Sequence, residues 1–221
     1  MNSARIVVRV LAFAAALAAA RYFLVPPPLL ESIITFDSPA GEAGSRVAPN
    51  LYRQYPVVFL AHIGGGVVAL TAGLFQFIPR LRNRRPAIHR AIGFLYLAAV
   101  FLGAASGLPL SILILKVVPH SLRSDFFPMA CSFFVLAIAW GSISAVALQR
   151  ARRREFRQHR AWMLRSYALT FAAVTVRLVS GTLFALTGDV ILAVNSGVLS
   201  WPVNLVVAEW LVQRTPQPAL A

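Results

Sequence analysis

The sequence is poor in acidic residues and has almost no cysteine. Only 7 aspartates and glutamates stand against 21 lysines and arginines, and 13% of the residues are charged, whereas soluble domains carry about 25%. Polar side chains are therefore too few to cover a surface in water, and lipid has to cover part of it. The single cysteine, Cys131, lies in an apolar run, which excludes a disulfide framework and a cysteine-based zinc site.

The sequence also lacks the motifs of soluble enzymes and of nucleic-acid-binding proteins. It contains no glycine-rich phosphate loop after a strand and no serine-centred elbow, and its few carboxylates are scattered. The basic residues would indicate nucleic acid in a soluble protein. Here they stand between long apolar runs, which is the distribution that the positive-inside rule produces. We therefore expect no nucleic-acid partner.

The sequence is rich in apolar runs that are long enough to cross a lipid bilayer. A run of about 20 apolar residues spans the hydrocarbon core as a helix. Six runs qualify: Ile6–Val25, Pro56–Phe77, Ala91–Val118, Phe127–Leu148, Ser166–Leu186 and Val190–Val212. The sequence therefore predicts an all-α, polytopic integral membrane protein in which residues 1–221 form a single membrane domain with six transmembrane helices.

The distribution of arginine predicts how the chain crosses the membrane. The connections Ile78–Arg90 and Gln149–Arg165 carry five and seven arginines, whereas Pro26–Tyr55 carries two arginines beside three carboxylates. Arginine-rich loops stay in the cytoplasm, so both termini are expected there and residues 26–55 form an extracytoplasmic loop of a bacterial inner-membrane protein. The basic loops also attract anionic lipid head groups, although topogenic charge without a further role is the simpler interpretation.

The first apolar run resembles a secretory signal peptide in one respect. Residues Ala18–Ala20 look like a cleavage site after a basic start. The run is long for a signal peptide, however, and it contains Arg21. We therefore favour an uncleaved span, and in either case the segment that follows it emerges on the outer side.

Four histidines are the candidate ligands of a cofactor. His62 lies in the second span and His120 at the outer end of the third, whereas His89 and His159 open the third and fifth spans from the cytoplasmic side. At about 1.5 Å per residue, the two levels lie roughly 20 Å apart. Imidazoles on facing helices at two levels suit one or two b-type haems. Alternatively, the interfacial histidines are solvated or bind lipid phosphate, and only His62 lies where burial requires a partner.

Small residues follow the histidines at helical spacing. After His62 they are Gly66, Ala69 and Gly73. A second series follows His89 and comprises Gly93, Tyr96, Val100, Gly103 and Gly107. Small side chains allow a flat macrocycle to approach the backbone. They equally allow two helices to pack closely, which is their commoner use in membranes and the interpretation that the pattern alone favours.

Arg177 is a further candidate because it falls near the middle of the fifth span. An arginine at that depth costs about 3 kcal/mol on insertion scales, so it has to face the bundle and find acceptors. The sixth span supplies Asn204 at a comparable depth and Glu209 nearer the cytoplasm. Arg177 binds a haem propionate, a quinone or an anionic substrate, or else it is hydrogen bonded to Asn204 and to backbone carbonyls.

The sequence contains a short internal repeat. His89-Arg90-Ala91 leads to Tyr96, and His159-Arg160-Ala161 leads to Tyr167; each follows an arginine-rich connection and opens a span. The repeat indicates a duplicated two-helix hairpin. Spans two and three and spans four and five would then form a four-helix core.

Several motifs between Tyr55 and Trp210 carry a family resemblance. They are His62-Ile63-Gly64, His89-Arg90-Ala91-Ile92-Gly93, His159-Arg160-Ala161-Trp162-Met163, Arg165-Ser166-Tyr167 and Trp201-Pro202-Val203-Asn204-Leu205. They resemble a family of bacterial multi-pass membrane proteins, domain of unknown function 2306. The resemblance implies a fold and no activity. The histidine topology is also distantly similar to that of cytochrome b-561 electron carriers, except that His120 precedes the fourth span.

Three functions remain open at this point. The first is a b-type haem protein that carries electrons in or across the inner membrane, with quinone as a candidate partner. If it binds one haem, His89 and His159 are a candidate pair, with Met163 as a substitute ligand. The second is a haem-free accessory or assembly subunit of a larger membrane complex. The third is a small-molecule transporter built around Arg177, Asn204 and Glu209. This function is disfavoured because carboxylates within the spans are scarce and broken helices are lacking.

Overall fold

The computed structural model describes residues 47–214 and, in addition, Val10. Nine α-helices lie in residues 47–214. They are α1 (Val47–Gln54), α2 (Pro56–Gln76), α3 (Pro79–Arg84), α4 (Pro86–Val117), α5 (Arg123–Arg152), α6 (Phe156–Thr170), α7 (Ala172–Thr187), α8 (Val190–Asn195) and α9 (Gly197–Gln213). The predicted first span, most of the loop 26–55 and both chain termini lie outside the described residues.

Five of the described stretches are long and apolar enough to cross a membrane. They are Pro56–Gln76, Pro86–Val117, His120–Arg152, Phe156–Thr187 and Val190–Gln213. They correspond to predicted spans two to six. The all-α, polytopic membrane fold is thereby confirmed. Large apolar side chains on the outside of the bundle, such as Phe94, Leu199 and Val206, are more than 60% exposed and contact the lipid bilayer.

Proline, glycine and aspartate mark the helix boundaries. Helices α2, α3 and α4 each begin with a proline, whose fixed φ suits the first helical turn. Helix α7 ends at Gly188, which has a left-handed φ of 67°. The side chain of Asp189 then accepts a hydrogen bond of 2.9 Å from the backbone N–H of Leu192 and caps α8. A tight turn at Gly188–Asp189 therefore separates spans five and six.

The central core of the bundle is built from spans two to five. Helix α2 packs along α4, α4 along α5, and α5 along α6, while α9 lies against α6 and α5. The buried residues of the central core all come from α2, α4, α5 and α6: Ala69, Ala72, Tyr96, Leu97, Ala99, Val100, Ala104, Trp140, Ala147, Met163, Tyr167 and Leu169. This arrangement is the four-helix core that the internal repeat predicts. The end of the bundle that carries α3 and the α5–α6 turn is called the arginine-rich end below.

The fifth and sixth spans each carry a one-residue irregularity, called a break below, but the backbone keeps right-handed helical dihedrals there and each span remains one helical stretch. Span five changes from α6 to α7 at Phe171, and span six changes from α8 to α9 at Ser196. Near the first break, the amide of Asn204 donates to the carbonyl of Ala168 at 3.1 Å. Near the second, the amide of Asn195 donates to a backbone carbonyl of α5 at 2.8 Å. Asn204 thus donates to backbone near the break in span five. Asn195 lies next to the break in span six and donates to backbone of α5 and of its own helix.

Candidate functional site

His89 and His159 occupy equivalent places at the arginine-rich end. Helix α4 begins three residues before His89, and α6 begins three residues before His159. Their backbone N–H groups bond to the carbonyls of Arg85 and Glu155 at 3.0 and 2.9 Å, respectively. The two imidazoles lie within electrostatic range of each other. The structure therefore brings this predicted pair together at one level of the bundle.

The ring of His159 is held by a backbone carbonyl. Its Nδ1 lies 2.8 Å from the carbonyl oxygen of Ala147 on α5. Since a carbonyl only accepts, Nδ1 carries the proton, and Nε2 of the neutral ring keeps its lone pair. Histidines that bind metals are commonly oriented in this way by a hydrogen bond to the other ring nitrogen.

The ring of His89 is held less completely. Its Nδ1 is buried, and it has no hydrogen-bond partner among the residues that the structure describes. The side chain of Gln76 donates to the backbone carbonyl of His89 at 3.4 Å, and Arg82 lies within electrostatic range of the ring. Most buried polar atoms in native proteins are paired, so the unpaired nitrogen points to a ligand or a solvent molecule at this position.

His62 and His120 do not come together. The Nδ1 of His62 donates to the carbonyl of Gly103 at 2.8 Å, and its ring would lie 3.2 Å from a Cβ at Gly107. Helix α4 continues for ten more residues from Gly107 to Val117, about 15 Å. His120 follows on an exposed 3-10 turn. The outer pair that the sequence predicts thus has its members at different levels, and its role as a haem site stays a prediction.

Arg177 lies on α7 at the level of His62 rather than near His89 and His159. Its guanidinium donates to the carbonyl of Ala173 at 2.7 Å, and it lies within electrostatic range of His62. Asn204 does not bond to Arg177 but accepts from Thr175 at 3.0 Å and donates to Ala168. The side chain of Arg177 is exposed at membrane depth.

Glu209 takes part in a contact between the fifth and sixth spans. Both Nε and Nη2 of Arg165 donate to the same carboxylate oxygen of Glu209, at 2.9 and 2.7 Å. The guanidinium carbon of Arg165 also lies 4.9 Å from the centre of the Trp162 ring. Glu209 and Asn204 therefore both join helices.

A buried hydroxyl network at the centre of the bundle was not predicted. The hydroxyl of Tyr96 lies 2.7 Å from Ser166 and 3.0 Å from Thr170. Ser144 joins Ser166 at 2.7 Å, and the indole of Trp140 donates to Thr170 at 2.9 Å. The network links α4, α5 and α6. The available signal was the i, i+4 spacing of Trp140 with Ser144 and of Ser166 with Thr170, which puts each pair on one helix face.

The small residues of α2 and α4 are used for packing. A Cβ at Gly65 would lie only 2.7 Å from the carbonyl oxygen of Ala99 and 2.8 Å from the backbone nitrogen of Gly103. Gly73 lies directly against the ring of Tyr167. By contrast, a Cβ at Gly66 would meet nothing within 4 Å. The helix contact therefore runs through Gly65. It does not run through Gly66, which is the residue that belongs to the series starting at His62.

The fold and these contacts define a polytopic α-helical membrane protein with a closely packed core of four spans. Residues 59–212 match a protein family described as a predicted membrane protein (DUF2306), and this match covers more than half of the chain. The chain therefore belongs to the DUF2306 family. No curated protein and no solved structure matches it.

Proposed function

We propose that this protein is a b-type haem electron carrier of the bacterial inner membrane, with one haem held between His89 and His159. The observation that carries the proposal is the placement of the two imidazoles on α4 and α6, at the same level and within electrostatic range of each other. Two histidines from separate helices of a bundle are a common ligand set for b-type haem.

The residues at this place fit such a ligand set. The bond from His159 to the carbonyl of Ala147 orients the ring and leaves Nε2 as the ligand atom. His89 has a buried nitrogen without a hydrogen-bond partner in the described part of the chain. A haem with two imidazole ligands supplies one-electron redox chemistry when bound. The positive charge of Arg82, which lies within electrostatic range of His89, would offset a propionate.

The proposal includes the orientation of the chain. The arginine-rich end faces the cytoplasm by the positive-inside rule, which puts the His89–His159 pair on the cytoplasmic side. Arg177 lies eighteen residues beyond His159, about 27 Å along the span. It is therefore too far away to bind a propionate at this pair. The quinone interpretation is retained for it, with His62 as its neighbour.

Absorption spectra of the detergent-purified protein test the proposal. We expect a sharp α-band after reduction with dithionite and about one haem per chain by pyridine haemochrome assay. His89→Ala and His159→Ala should each abolish or shift this band. His120→Ala is the matched control and should leave it unchanged, because His120 is exposed on a 3-10 turn. A well-folded but colourless protein would refute the proposal.

The close packing of the core favours a second candidate, a haem-free accessory subunit of a larger membrane complex. The backbones of α2 and α4 approach each other at Gly65 and Gly103, and buried Tyr96, Trp140 and Tyr167 fill the centre. A colourless protein that co-purifies with a larger complex from native membranes would support this candidate. Isolation as a free, coloured chain would contradict it.

A small-molecule transporter built around Arg177 is the third candidate. Loss of substrate flux in a folded Arg177→Ala variant would support that function. A variant with unchanged flux would exclude a transport site at Arg177.

A further inference from the structure

The turn between α5 and α6 carries exposed arginines that are not neutralised within the described part of the chain. Its one carboxylate, Glu155, is already paired with Arg150 at 2.6 Å. The side chains of Arg152, Arg153, Arg154 and Arg157 are exposed, and none of them forms an ion pair with a described residue. The turn therefore presents a concentrated positive charge where the two spans leave the bilayer.

The turn exposes charged side chains and an aromatic side chain next to one another. An open depression of about 590 Å³ is lined by five consecutive residues, Arg154, Glu155, Phe156, Arg157 and Gln158. Phe156 is 60% exposed and lies between Arg154 and Arg157 in the sequence. Aromatic side chains at the ends of membrane spans favour the head-group level of the bilayer.

We propose that Arg154, Phe156 and Arg157 bind an anionic phospholipid, with the two guanidinium groups on the head-group phosphate and the phenyl ring against the upper part of an acyl chain. Planar guanidinium groups form paired hydrogen bonds with phosphate oxygens. Juxtamembrane arginines attract anionic lipids. A lipid, unlike free phosphate, also gives the exposed phenyl ring an apolar partner.

This proposal differs from topogenic charge in one measurable respect. Topogenic charge depends on the number of positive residues and is kept when arginine is replaced by lysine. Phosphate binding by a guanidinium fork is weakened by that replacement, because an ammonium group lacks the paired geometry. The double variant Arg154→Lys/Arg157→Lys therefore separates the two interpretations without changing the charge that orients the chain.

The experiment measures how many lipids the full chain retains in detergent, by native mass spectrometry with phosphatidylglycerol and with phosphatidylcholine. The wild-type protein should retain phosphatidylglycerol preferentially. In the double lysine variant the preference should fall about fivefold to tenfold, and Phe156→Ser should weaken retention of both lipids. The control Arg80→Lys/Arg84→Lys, on exposed residues of α3, should behave as wild type. The thermal stability of each variant in phosphatidylcholine checks its folding.

Three results would overturn the proposal. Equal retention of the two lipids by the wild-type protein would leave only topogenic charge. An unchanged preference in the folded double lysine variant would mean that another surface binds the lipid. Displacement of the lipid by inorganic phosphate at equal concentration would mean that the turn binds a free anion and that Phe156 makes no contribution.

Discussion

The contact between α2 and α4 makes a sharp prediction, because two adjacent glycines have opposite surroundings. A methyl group added at Gly65 would lie 2.7 Å from the carbonyl oxygen of Ala99 and 2.8 Å from the backbone nitrogen of Gly103. These are backbone atoms, so the two helices would have to separate. A methyl group added at Gly66 would meet no atom within 4 Å. Gly65→Ala should therefore destabilise the bundle, and Gly66→Ala should not.

The magnitude follows from a comparison of the two variants. Overpacking a close contact costs about 1–3 kcal/mol. Replacing glycine by alanine in a helix contributes up to about 1 kcal/mol of stability, and this gain is common to Gly65→Ala and Gly66→Ala. The difference between the two in the free energy of unfolding is therefore about 1–3 kcal/mol, with Gly65→Ala the less stable.

Circular dichroism measures this difference. Both purified variants and the wild type are unfolded in mixed detergent micelles, and their unfolding midpoints are compared. Equal unfolding midpoints for Gly65→Ala and Gly66→Ala would refute the reasoning. It would mean that the backbones of α2 and α4 are not in contact at Gly65, and the packing function assigned to the small residues would fall with it.

Three further changes test the polar contacts by the same unfolding assay. Tyr96→Phe removes two interhelical hydrogen bonds and should cost about 1 kcal/mol, since one such bond in a membrane averages about 0.6; an unchanged midpoint would contradict a structural role for the network. Asn204→Leu takes a donor from the carbonyl of Ala168 and should cost about 1–2 kcal/mol; a more stable variant would show that the break needs no such donor. Glu209→Gln should lower the free energy of unfolding by about 0.5 kcal/mol, because the Glu209 side chain that Arg165 binds is 44% exposed. A decrease above about 2 kcal/mol would show that the ion pair behaves as a buried one.

The membrane spans were predictable because hydropathy reports the free energy of transferring a segment from water into lipid, and this free energy dominates the folding of a span. Burying an apolar run in lipid outweighs local preferences, so spans two to six appear where the sequence predicts them. The helices extend further than the apolar runs: α4 begins at Pro86 rather than Ala91, and α5 ends at Arg152 rather than Leu148. Polar residues continue a helix beyond the hydrocarbon core at little cost, and hydropathy does not register them.

The breaks in spans five and six were not predictable, because their cause is not local. Phe171 and Ser196 are neither proline nor glycine, and each has ordinary right-handed helical dihedrals. The donors near the breaks are Asn204, which contacts a carbonyl of α6, and Asn195, which contacts a carbonyl of α5 and one of its own helix. Only the packed structure shows which carbonyls the two amides reach.

The candidate site was predictable in part. The sequence puts His89 and His159 at one level because each follows an arginine-rich connection and opens a span. The separation of His62 from His120 depends on the length of α4 beyond Gly107, which an apolar run does not define to within a turn. The choice of Gly65 over Gly66 likewise depends on the partner helix, since a spacing of three or four residues from His62 lies on the same helix face.

The reduced-minus-oxidised absorption spectrum of the purified wild-type chain tests the central proposal most directly. We expect a sharp α-band with about one haem per chain, which is abolished or shifted by His89→Ala and by His159→Ala and retained in His120→Ala. A folded, monodisperse protein without any haem absorption, purified from cells supplied with haem precursor, would contradict it.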